Sequence, residues 1–426
     1  RRHTRYWRDW SSDVCSSDLD PYRYSTMAMH MSSDYDKFKI DIIPQVASYN
    51  IYNGWYSGKV EEFGKTFDKK HQEKPNQKLF ISEYGAESDN QVNTDKPTRL
   101  DNTGQYQRYF HESYLSQIKQ RSYFNATCIW NQFDFGNPGI GGTISNINHK
   151  GMYTWDRKPK DVYYMYKANW NSEPMVYIAC RDWLKRTTAI GDSSVIDVYS
   201  NGKEVSLWLN GKKLGNKIIN DVCKASWKVL LANGRNMLIA KSKIGKINVV
   251  DTVTINNEVY DTNMQIQMQN NTVQKDWYIN VGSNAQYIDN TQKIWIEDRP
   301  YQKGSFGYID GKPSFISLKG KITKTDKTQL LYTYVDSISA YQLDVPDGNY
   351  ILQLYFTEPE FTSTGKRVFD VMINGTIMKS FFKELDYCVA VEKTMQVSAV
   401  NNKGIRIDFK SLKGKTILNG IHVQKN

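Results

Sequence analysis

The sequence predicts a multidomain chain in which a parallel β/α barrel region is followed by two antiparallel β-sandwiches. Strand and helix patterns alternate up to about residue 171, as parallel strands joined by crossover helices require. Short alternating strands then begin, separated by Asn-Gly pairs that are typical of hairpin turns. A chain of 426 residues is long enough for two to four such domains.

The composition favours folded domains and limits the classes of binding partner. Hydrophobic residues make up 39% of the chain, which is enough for packed cores. Aromatic residues reach 13%, which suits either sugar-binding surfaces or aromatic β-structure. The formal net charge is +11, but the positive residues are scattered among acidic ones. We therefore expect a solvated surface and no nucleic-acid partner, with weak attraction to acidic polysaccharide as a minor alternative.

The cysteines and the apolar runs exclude several other classes. The five cysteines lie far apart and form neither a disulfide framework nor a metal-ligand spacing, so we expect no metal and no cofactor. No apolar run is as long as a membrane-spanning helix. The first ten residues, RRHTRYWRDW, have no apolar core and do not form a signal peptide.

Residues 1–19 are expected to be foreign to the natural protein. They read RRHTRYWRDWSSDVCSSDL and have neither strand nor helix periodicity. The part DWSSDVCSSDL equals the translation of a sequencing-library adapter, and an unusual disordered N-terminus is the alternative. We therefore exclude this segment from fold reasoning.

Residues 20–171 contain three predicted strands and two predicted helices. The strands lie in DIIPQVASYNIYNGWYSG, KLFIS and ATCIWNQFDFG. The first helix lies in GKVEEFGKTFDKKH, where Val60, Phe63 and Phe67 recur at helical spacing. The second lies in NTGQYQRYFHESYLSQIKQR, with Asn102 or Thr103 as its N-cap. Its apolar face is predicted to carry Tyr106, Tyr109, Phe110 and Ile118.

Each of these three strands ends in polar or aromatic residues. In a (β/α)8 barrel, functional groups lie where strands end and loops begin. The residues at the three ends are Asn50 and Tyr52, then Glu83, then Trp130, Asn131 and Asp134. Three such ends in series predict the mouth of a barrel. A helix-capping role is the structural alternative for Glu83.

Four motifs in this region carry a resemblance to a known family. YNIYNGWYSG, ISEYGAE, IWNQFDFG and HKGMYTWDRKPKDVYYMYKANW follow one another between about Asp41 and Trp170. Together they resemble the last part of the catalytic TIM barrel of glycoside hydrolase family 2, which includes β-galactosidases, β-glucuronidases and β-mannosidases. The resemblance implies a partial (β/α)8 barrel that contains only the C-terminal strands and helices.

The resemblance also implies roles for individual residues. Glu83 matches the nucleophile of a retaining β-glycosidase, and Tyr52 matches a tyrosine that donates a hydrogen bond to it. Asn50 and Trp130 are expected in substrate binding, Trp130 as an aromatic wall. Asn148 and Lys150 resemble a loop pair near the polar edge of the sugar. Tyr52 and Trp130 have a core-packing role as their structural alternative.

Neighbouring polar residues are expected to be structural. Asp134 is predicted to brace its strand end and Glu87 to order its loop, while His149 is expected to be a surface or satisfied polar group.

The general acid of the family has no match in this chain. In the family it is a Glu that follows an Asn at the end of an earlier barrel strand, and no Asn-Glu occurs before Glu83. The Asn-Glu of this chain is Asn257-Glu258, in a different predicted domain. We therefore expect that the 426 residues alone do not catalyse hydrolysis and represent a C-terminal fragment.

Two β-sandwiches are predicted after the barrel region. Residues 172–257 resemble the immunoglobulin-like domain that often follows family 2 barrels, with hairpin turns predicted at Asn201-Gly202 and Asn210-Gly211. Its expected role is structural packing. Residues 258–275 are predicted to be a linker with at most one strand.

Residues 276–426 resemble the malectin-like fold, with a hairpin turn predicted at Asn374-Gly375. Some members of that fold bind carbohydrate. Tyr301, Tyr308 and Phe361 are its candidate sugar-stacking residues, in positions that read as loops, and core packing is the alternative for Tyr308 and Phe361.

These features favour a retaining exo-acting β-glycosidase, with β-galactosidase ahead of β-glucuronidase. The expected partner is an oligosaccharide or polysaccharide. A carbohydrate-binding protein without turnover is the non-enzymatic alternative, and purely structural trailing domains are a third. The family resemblance implies a periplasmic or secreted bacterial protein. The sequence carries no signal for an oligomeric state.

Overall fold

The structure is a computed structural model that describes residues 22–137, 146–270, 276–316, 321–378 and 385–426. The predicted foreign segment, residues 1–19, lies outside the described residues. The described chain forms two compact units. The barrel unit comprises the described residues up to Glu87, Gln107–Asp134 and Lys150–Lys158. The sandwich unit comprises Ser88–Tyr106, Phe135–His149 and Pro159–Asn426, again within the described ranges.

The elements up to Trp170 are short strands and amphipathic helices. The strands are β1 Thr26–His30, β2 Val46–Asn50, β3 Lys78–Glu83, β4 Val92–Asn93, β5 Phe124–Thr127, β6 Phe135–Gly136 and β7 Ile147–Asn148. The helices are α1 Ser33–Lys37, α2 Glu62–Glu73, α3 Gly104–Lys119 and α4 Asp161–Trp170.

A four-stranded parallel sheet, in the order β1-β2-β3-β5, is the centre of the barrel unit. The parallel pairing and crossover helices predicted for β2, β3 and β5 are confirmed. Strand β1 was not predicted. Its sequence, TMAMH, contains Met and Ala, which favour helices over strands, so the strand depends on its pairing with β2.

Aromatic side chains hold α2 against the sheet and against α3. Phe63 and Phe67 are fully buried, which confirms the predicted apolar face of α2. The Phe67 ring contacts Tyr49 of β2 at 5.6 Å, and Phe63 stacks on Tyr114 of α3 at 4.3 Å. Large buried rings of this kind contribute much of the free energy of a core.

Helix α3 begins where predicted, but one residue of its predicted face is wrong. The Thr103 hydroxyl accepts a hydrogen bond from the Tyr106 N–H at 3.0 Å, so Thr103 is the N-cap. Tyr106 and Phe110 are buried, whereas Tyr109 is 42% exposed. Tyr114 takes the core position instead, because residues four apart share a helix face.

The first sandwich contains two sheets in which the strands pair antiparallel, except for one parallel pair. Its strands are β8 Val176–Ala179, β9 Lys185–Ala189, β10 Ser194–Ser200, β11 Glu204–Leu209, β12 Lys212–Ile218, β13 Lys224–Val229, β14 Gly234–Ile244 and β15 Ile247–Tyr260, with a 3-10 turn at Arg181–Trp183. The sheets have the orders β13-β10-β8 and β12-β11-β14-β15-β9. Buried side chains of β10, β11, β13 and β14 form the core between them, which confirms the predicted sandwich.

The two Asn-Gly turns of this domain have different outcomes. Asn210 and Gly211 both have positive φ, at 50° and 82°, and connect β11 to β12 as a hairpin. The hairpin predicted at Asn201-Gly202 is wrong, because β10 and β11 belong to different sheets. Asn201 instead accepts the Met175 N–H at 2.9 Å, so it stabilises a crossover between the sheets.

The predicted linker is largely folded, which corrects the sequence interpretation. Strand β15 continues to Tyr260 because it pairs in parallel with β9, where Tyr260 lies opposite Ala189. Helix α5 follows at Met264–Asn270. The side chains of Tyr260 and Met264 are buried in the core of the second sandwich. Residues 271–275 lie outside the described chain.

The second sandwich is the largest β-structure of the chain. Its elements are β16 Asp276–Asn280, β17 Gln286–Ile288, β18 Ile294–Glu297, β19 Phe306–Ile309, β20 Lys312–Phe315, α6 Thr328–Tyr332, β21 Thr333–Asp336, β22 Ala340–Leu343, β23 Gly348–Phe356, β24 Val368–Ile373, β25 Thr376–Met378, β26 Val391–Ala399, β27 Ile405–Lys413, β28 Ile417–Leu418 and β29 Gly420–Lys425. The sheet orders are β26-β23-β29-β16-β18-β17-β4, β19-β22-β27-β24-β25 and β20-β21-β28. The hairpin predicted at Asn374-Gly375 connects β24 to β25 and is confirmed.

One strand of the largest sheet comes from the region before residue 171. Strand β4 pairs antiparallel with β17, so that Val92 lies opposite Tyr287. The Gln329 amide donates a 2.6 Å hydrogen bond to Asp89, and the Thr94 hydroxyl donates to the Asn284 carbonyl at 2.7 Å. The segment that follows β3 therefore contributes to the second sandwich, which the predicted domain division did not include.

Across the described residues, no helix combines the length and the apolar character needed to cross a bilayer.

An enclosed carboxyl group in the second sandwich predicts a pH-dependent stability. Asp298 accepts hydrogen bonds from the Gly282 N–H at 2.8 Å and the Tyr341 hydroxyl at 2.7 Å, and burial raises its pKa to about 6. Because the folded pKa lies above the ordinary value, this group stabilises the fold below about pH 4 and loses that contribution as pH rises through 6. We expect Asp298→Asn to remove on the order of 2 kcal/mol of this pH dependence.

Chemical denaturation of the chain at pH 4.5 and pH 7, with intermediate points, measures this difference. The exposed Asp326 supplies the control, since Asp326→Asn should leave the pH dependence unchanged. Equal slopes for the wild type and the Asp298 variant would contradict the expectation.

Candidate active site

The ends of β2 and β3 meet at one edge of the parallel sheet. Asn50 lies opposite Glu83 in the register of the two strands. The Ser82 hydroxyl donates a hydrogen bond to the Asn50 side chain at 2.7 Å, and the Ile51 N–H donates to the Glu83 carbonyl at 2.8 Å. These contacts hold the backbone of Glu83 on a rigid strand end, as a catalytic carboxylate requires.

Tyr52 contacts the Glu83 carboxylate directly. Its hydroxyl donates a hydrogen bond to Oε2 of Glu83 at 2.8 Å. Burial, together with that hydrogen bond, raises the pKa of the Tyr52 phenol well above its ordinary value. Tyr52 therefore stays protonated at working pH and remains a donor that orients the carboxylate. This is the contact that the family resemblance implied for Tyr52.

The glycine of the SEYGA motif is required by a close backbone approach. The Trp130 N–H donates to the Tyr84 carbonyl at 2.8 Å. A Cβ atom at position 85 would lie 2.0 Å from the Trp130 carbonyl oxygen. Gly85 thus lets the segment after β5 run beside the segment after β3. Trp130, the predicted aromatic wall, lies half-buried next to the loop that follows Glu83.

A buried ion pair lies farther along the same loop. The Lys150 ammonium group is 2.7 Å from the Glu87 carboxylate, and both side chains are almost fully buried. Lys150 Nζ also lies 5.6 Å from the centre of the Trp55 ring and 5.1 Å from that of Tyr56. Glu87 orders the loop as predicted. Lys150, predicted as a sugar contact, is paired with a protein carboxylate in this structure.

A residue that the sequence analysis missed braces these loops. The buried Gln107 amide of α3 donates to the Ala86 carbonyl at 3.0 Å and to the Gly151 carbonyl at 3.2 Å. Asp134 accepts the Gly151 N–H at 2.9 Å, which is the bracing role predicted for it. A glutamine on the buried face of a helix, between Tyr106 and Phe110, was the available signal for Gln107.

The remaining members of the NHK loop lie in the sandwich unit. Asn148 is buried in β7, opposite Phe135 of β6. His149 is also buried, which corrects the surface alternative, and its carbonyl accepts the Ser88 N–H at 3.1 Å and the Lys160 ammonium at 3.0 Å. The barrel unit therefore contains Asn50, Tyr52, Glu83, Trp130 and Lys150, whereas Asn148 belongs to the other unit.

The Asn-Glu pair of the chain is part of the first sandwich. Asn257 and Glu258 lie within β15, opposite Arg186 and Thr187 of β9. This position in a sandwich strand does not fit the acid of a barrel enzyme, as the sequence analysis expected.

Of the three sugar-stacking candidates in the second sandwich, Tyr301 and Tyr308 lie together and Phe361 lies elsewhere. The Tyr301 hydroxyl donates to Asp344 at 2.8 Å, and the Tyr301 N–H donates to the Tyr308 carbonyl at 2.9 Å. Tyr308 lies in strand β19 and packs on the hydrophobic core, so its predicted loop position is wrong. Phe361 lies half-buried on another loop, 5.4 Å from the guanidinium of Arg367.

The Tyr52 hydrogen bond gives a testable expectation. Replacing Tyr52 by phenylalanine removes one donor to an ionised carboxylate, which is worth about 1.5–3 kcal/mol. We expect kcat for β-glycoside hydrolysis to fall about 10- to 150-fold in the native polypeptide that contains this site. Tyr109→Phe is the matched control, because Tyr109 donates to the peripheral Glu61. Equal activities of the two variants would contradict the role of Tyr52.

A carboxylate at a parallel strand end, held by a tyrosine hydroxyl in a partial (β/α)8 barrel, is the arrangement expected of a glycoside hydrolase domain. Residues 18–173 match the family described as "Glycosyl hydrolases family 2, TIM barrel domain". This region of the chain belongs to that family, and residues 275–425 belong to the malectin domain family. Residues 191–248 match a domain of unknown function, DUF4982.

Bacterial glycosidases resemble the chain over most of its length. A β-glucuronidase of Bacteroides fragilis is 31% identical over 245 residues, covering 55% of this chain and 34% of that protein. The β-galactosidase BoGH2A of Bacteroides ovatus is 26% identical over 140 residues, 32% of this chain and 16% of that protein. A crystal structure of a Bacteroides uniformis β-glucuronidase is 30% identical with a TM-score of 0.88, covering 96% of this chain and 49% of that one. The chain thus spans about half of that structure.

Proposed function

We propose that this chain is part of a retaining β-glucuronidase, with Glu83 as the nucleophile. The hydrogen bond from Tyr52 to Glu83 at paired strand ends carries the retaining-glycosidase part of the proposal. The names of the relatives support glucuronides over the galactosides that the sequence analysis favoured, since the longer and more identical matches are to β-glucuronidases.

The chemistry follows the two-step retaining mechanism. The Glu83 carboxylate attacks the anomeric carbon, and the bond from that carbon to the leaving oxygen breaks. A carboxylic acid about 5–5.5 Å from the nucleophile protonates the leaving oxygen. The resulting carboxylate then takes a proton from water, which displaces Glu83 and gives the β-anomer. No residue of this chain is assigned the second role.

Lys150 is the proposed contact for the acidic sugar. A buried ammonium group in a low-dielectric loop suits the carboxylate of a uronic acid. The centres of the Trp55 and Tyr56 rings lie 5.6 Å and 5.1 Å from Lys150 Nζ, where their electron-rich faces stabilise its charge. In the proposed complex, the sugar carboxylate joins Glu87 on Lys150.

The test compares the hydrolysis of two substrates by the longest native polypeptide that contains these residues. We expect p-nitrophenyl β-D-glucuronide to be hydrolysed at least about 100-fold more efficiently, in kcat/KM, than the matched β-D-galactoside, a difference of roughly 3 kcal/mol. NMR of the first product should show the β-anomer. A preference for galactoside would overturn the sugar assignment. The α-anomer as first product would overturn the mechanism.

A further inference from the structure

One outward face of the first sandwich is both apolar and cationic. In β11, Val205 and Leu207 are fully buried, so Trp208 and Ser206 point away from the core. The register places Trp208 between Lys213 of β12 and Ile239 of β14. We call this outward surface of β11, β12 and β14 the Trp208 face, and its charged members are Glu204, Lys213, Arg235, Lys241 and Lys243.

Positive charge dominates the Trp208 face. Lys213, Arg235, Lys241 and Lys243 are exposed on it, whereas Glu204 is its one carboxylate among the positions just defined. Glu204 also accepts a hydrogen bond from the Asn216 amide at 3.2 Å. The face therefore presents an excess of three positive charges, four against one, to a partner.

Two of these cations flank the same aromatic ring. Lys241 Nζ lies 4.9 Å and Lys213 Nζ 5.4 Å from the centre of the Trp208 ring. The pair thus places two ammonium groups within 5.4 Å of the centre of one half-buried aromatic ring. Pyranose rings have apolar faces that stack on such a surface, and their carboxylate substituents would lie within reach of the lysines.

An exposed apolar strip continues from this ring. Ile239 of β14 lies opposite Trp208, and Met237, two residues earlier on the same face of β14, is 43% exposed. A contiguous exposed apolar surface in a folded protein commonly marks a contact site. The strip runs from Trp208 of β11 to Ile239 and Met237 of β14, so it suits a ligand that spans neighbouring strands.

We propose that the Trp208 face binds an acidic polysaccharide built from uronic acid residues. Sugar rings would lie on Trp208 and the apolar strip, while Lys213, Lys241 and Lys243 pair with successive carboxylates. Charge complementarity selects this occupant. A second copy of the chain would bring the same cationic face against itself, which like-charge repulsion disfavours. The uronic acid choice rests on the proposed glucuronidase function, whereas the existence of the site does not.

The site gives the first sandwich a role beyond structural packing. Residues 191–248 match a family described only as a domain of unknown function, and this range contains Trp208, Lys213 and Lys241. The role expected for this sandwich from the sequence was structural packing. Its outward face can retain a polysaccharide while its inner face packs in the core of the sandwich.

Binding of the full 426-residue chain to soluble polygalacturonate tests the proposal, with dextran as the neutral polymer. The test variants are Trp208→Ala and the double variant Lys213→Ala/Lys241→Ala. The control double variant is Lys228→Ala/Lys410→Ala, which removes the same charge from exposed positions outside the face. Thermal unfolding checks that each variant folds. We expect both test variants to weaken binding at least about 10-fold, or roughly 1.4 kcal/mol, and the control less than about twofold.

Three outcomes would overturn the proposal. Equal weakening by the two double variants would indicate unspecific attraction between opposite charges. Unchanged binding by Trp208→Ala would remove the aromatic platform. Tighter binding of duplex DNA than of polygalacturonate, at the same ionic strength, would assign the face to another partner. Hydrolysis is not measured, so failure of the glucuronidase proposal is a separate result.

Discussion

Replacing Glu83 by alanine is expected to reduce glucuronide hydrolysis at least about 1000-fold in the native polypeptide, because the attacking carboxylate is lost. With p-nitrophenyl β-D-glucuronide, added azide should restore turnover. Azide would occupy the space vacated by the carboxylate and attack the anomeric carbon from the same side. The carbon–nitrogen bond forms as the bond to p-nitrophenolate breaks, so the product is the α-glucuronyl azide. NMR of the product identifies the anomer.

Azide distinguishes a nucleophile from a residue that only supports the fold. Glu73→Ala is the matched control, since Glu73 is an exposed carboxylate at the end of α2. That variant should keep its activity and should form no azide adduct. Loss of activity in Glu83→Ala without azide rescue, in a variant that folds normally, would contradict the assignment of Glu83 as the nucleophile.

Replacing Lys150 by alanine is expected to lower the free energy of unfolding by about 3–5 kcal/mol. The change leaves the Glu87 carboxylate buried without its cation, since the two charged groups are 2.7 Å apart and both side chains are almost fully buried. Chemical denaturation measures the loss. The exposed Lys69–Glu73 pair is the control, because Lys69→Ala should cost well under about 1 kcal/mol.

The double variant Lys150→Met/Glu87→Leu separates stability from sugar recognition. Removing both charges should recover most of the lost stability, because no unpaired charge remains. If Lys150 contacts the sugar carboxylate, the double variant should still lose its preference for glucuronide over galactoside. A double variant that folds and keeps the preference would show that Lys150 is structural only. A Lys150→Ala variant as stable as Lys69→Ala would contradict the ion-pair argument.

Local patterns predicted the candidate site better than they predicted pairings. Glu83 and Tyr52 were expected at one edge because parallel strands place their carboxyl ends there, and the family resemblance implied the roles of the two residues. Lys150 and Glu87 were each singled out, yet their 2.7 Å contact joins residues far apart in sequence. The spacing of residues in the sequence does not indicate which distant charged group a buried lysine will contact.

The fold shows the same limit in its turns and boundaries. Asn201-Gly202 and Asn210-Gly211 have the same local signal, but only the second is a hairpin. Strands β11 and β12 pair with each other, whereas β10 and β11 belong to different sheets. Tyr260 was assigned to a linker because its surroundings are polar in sequence. Its burial depends on a core formed by strands that come later in the chain.

Strand β4, which the segment after β3 contributes to the second sandwich, determines whether that sandwich can be expressed as a separate domain. A recombinant second sandwich alone would leave β17 with an unpaired backbone edge, which invites association with other chains. The domain is therefore not an independent cassette that can be transplanted by its sequence limits. Segment and sandwich must be inherited, or expressed, together.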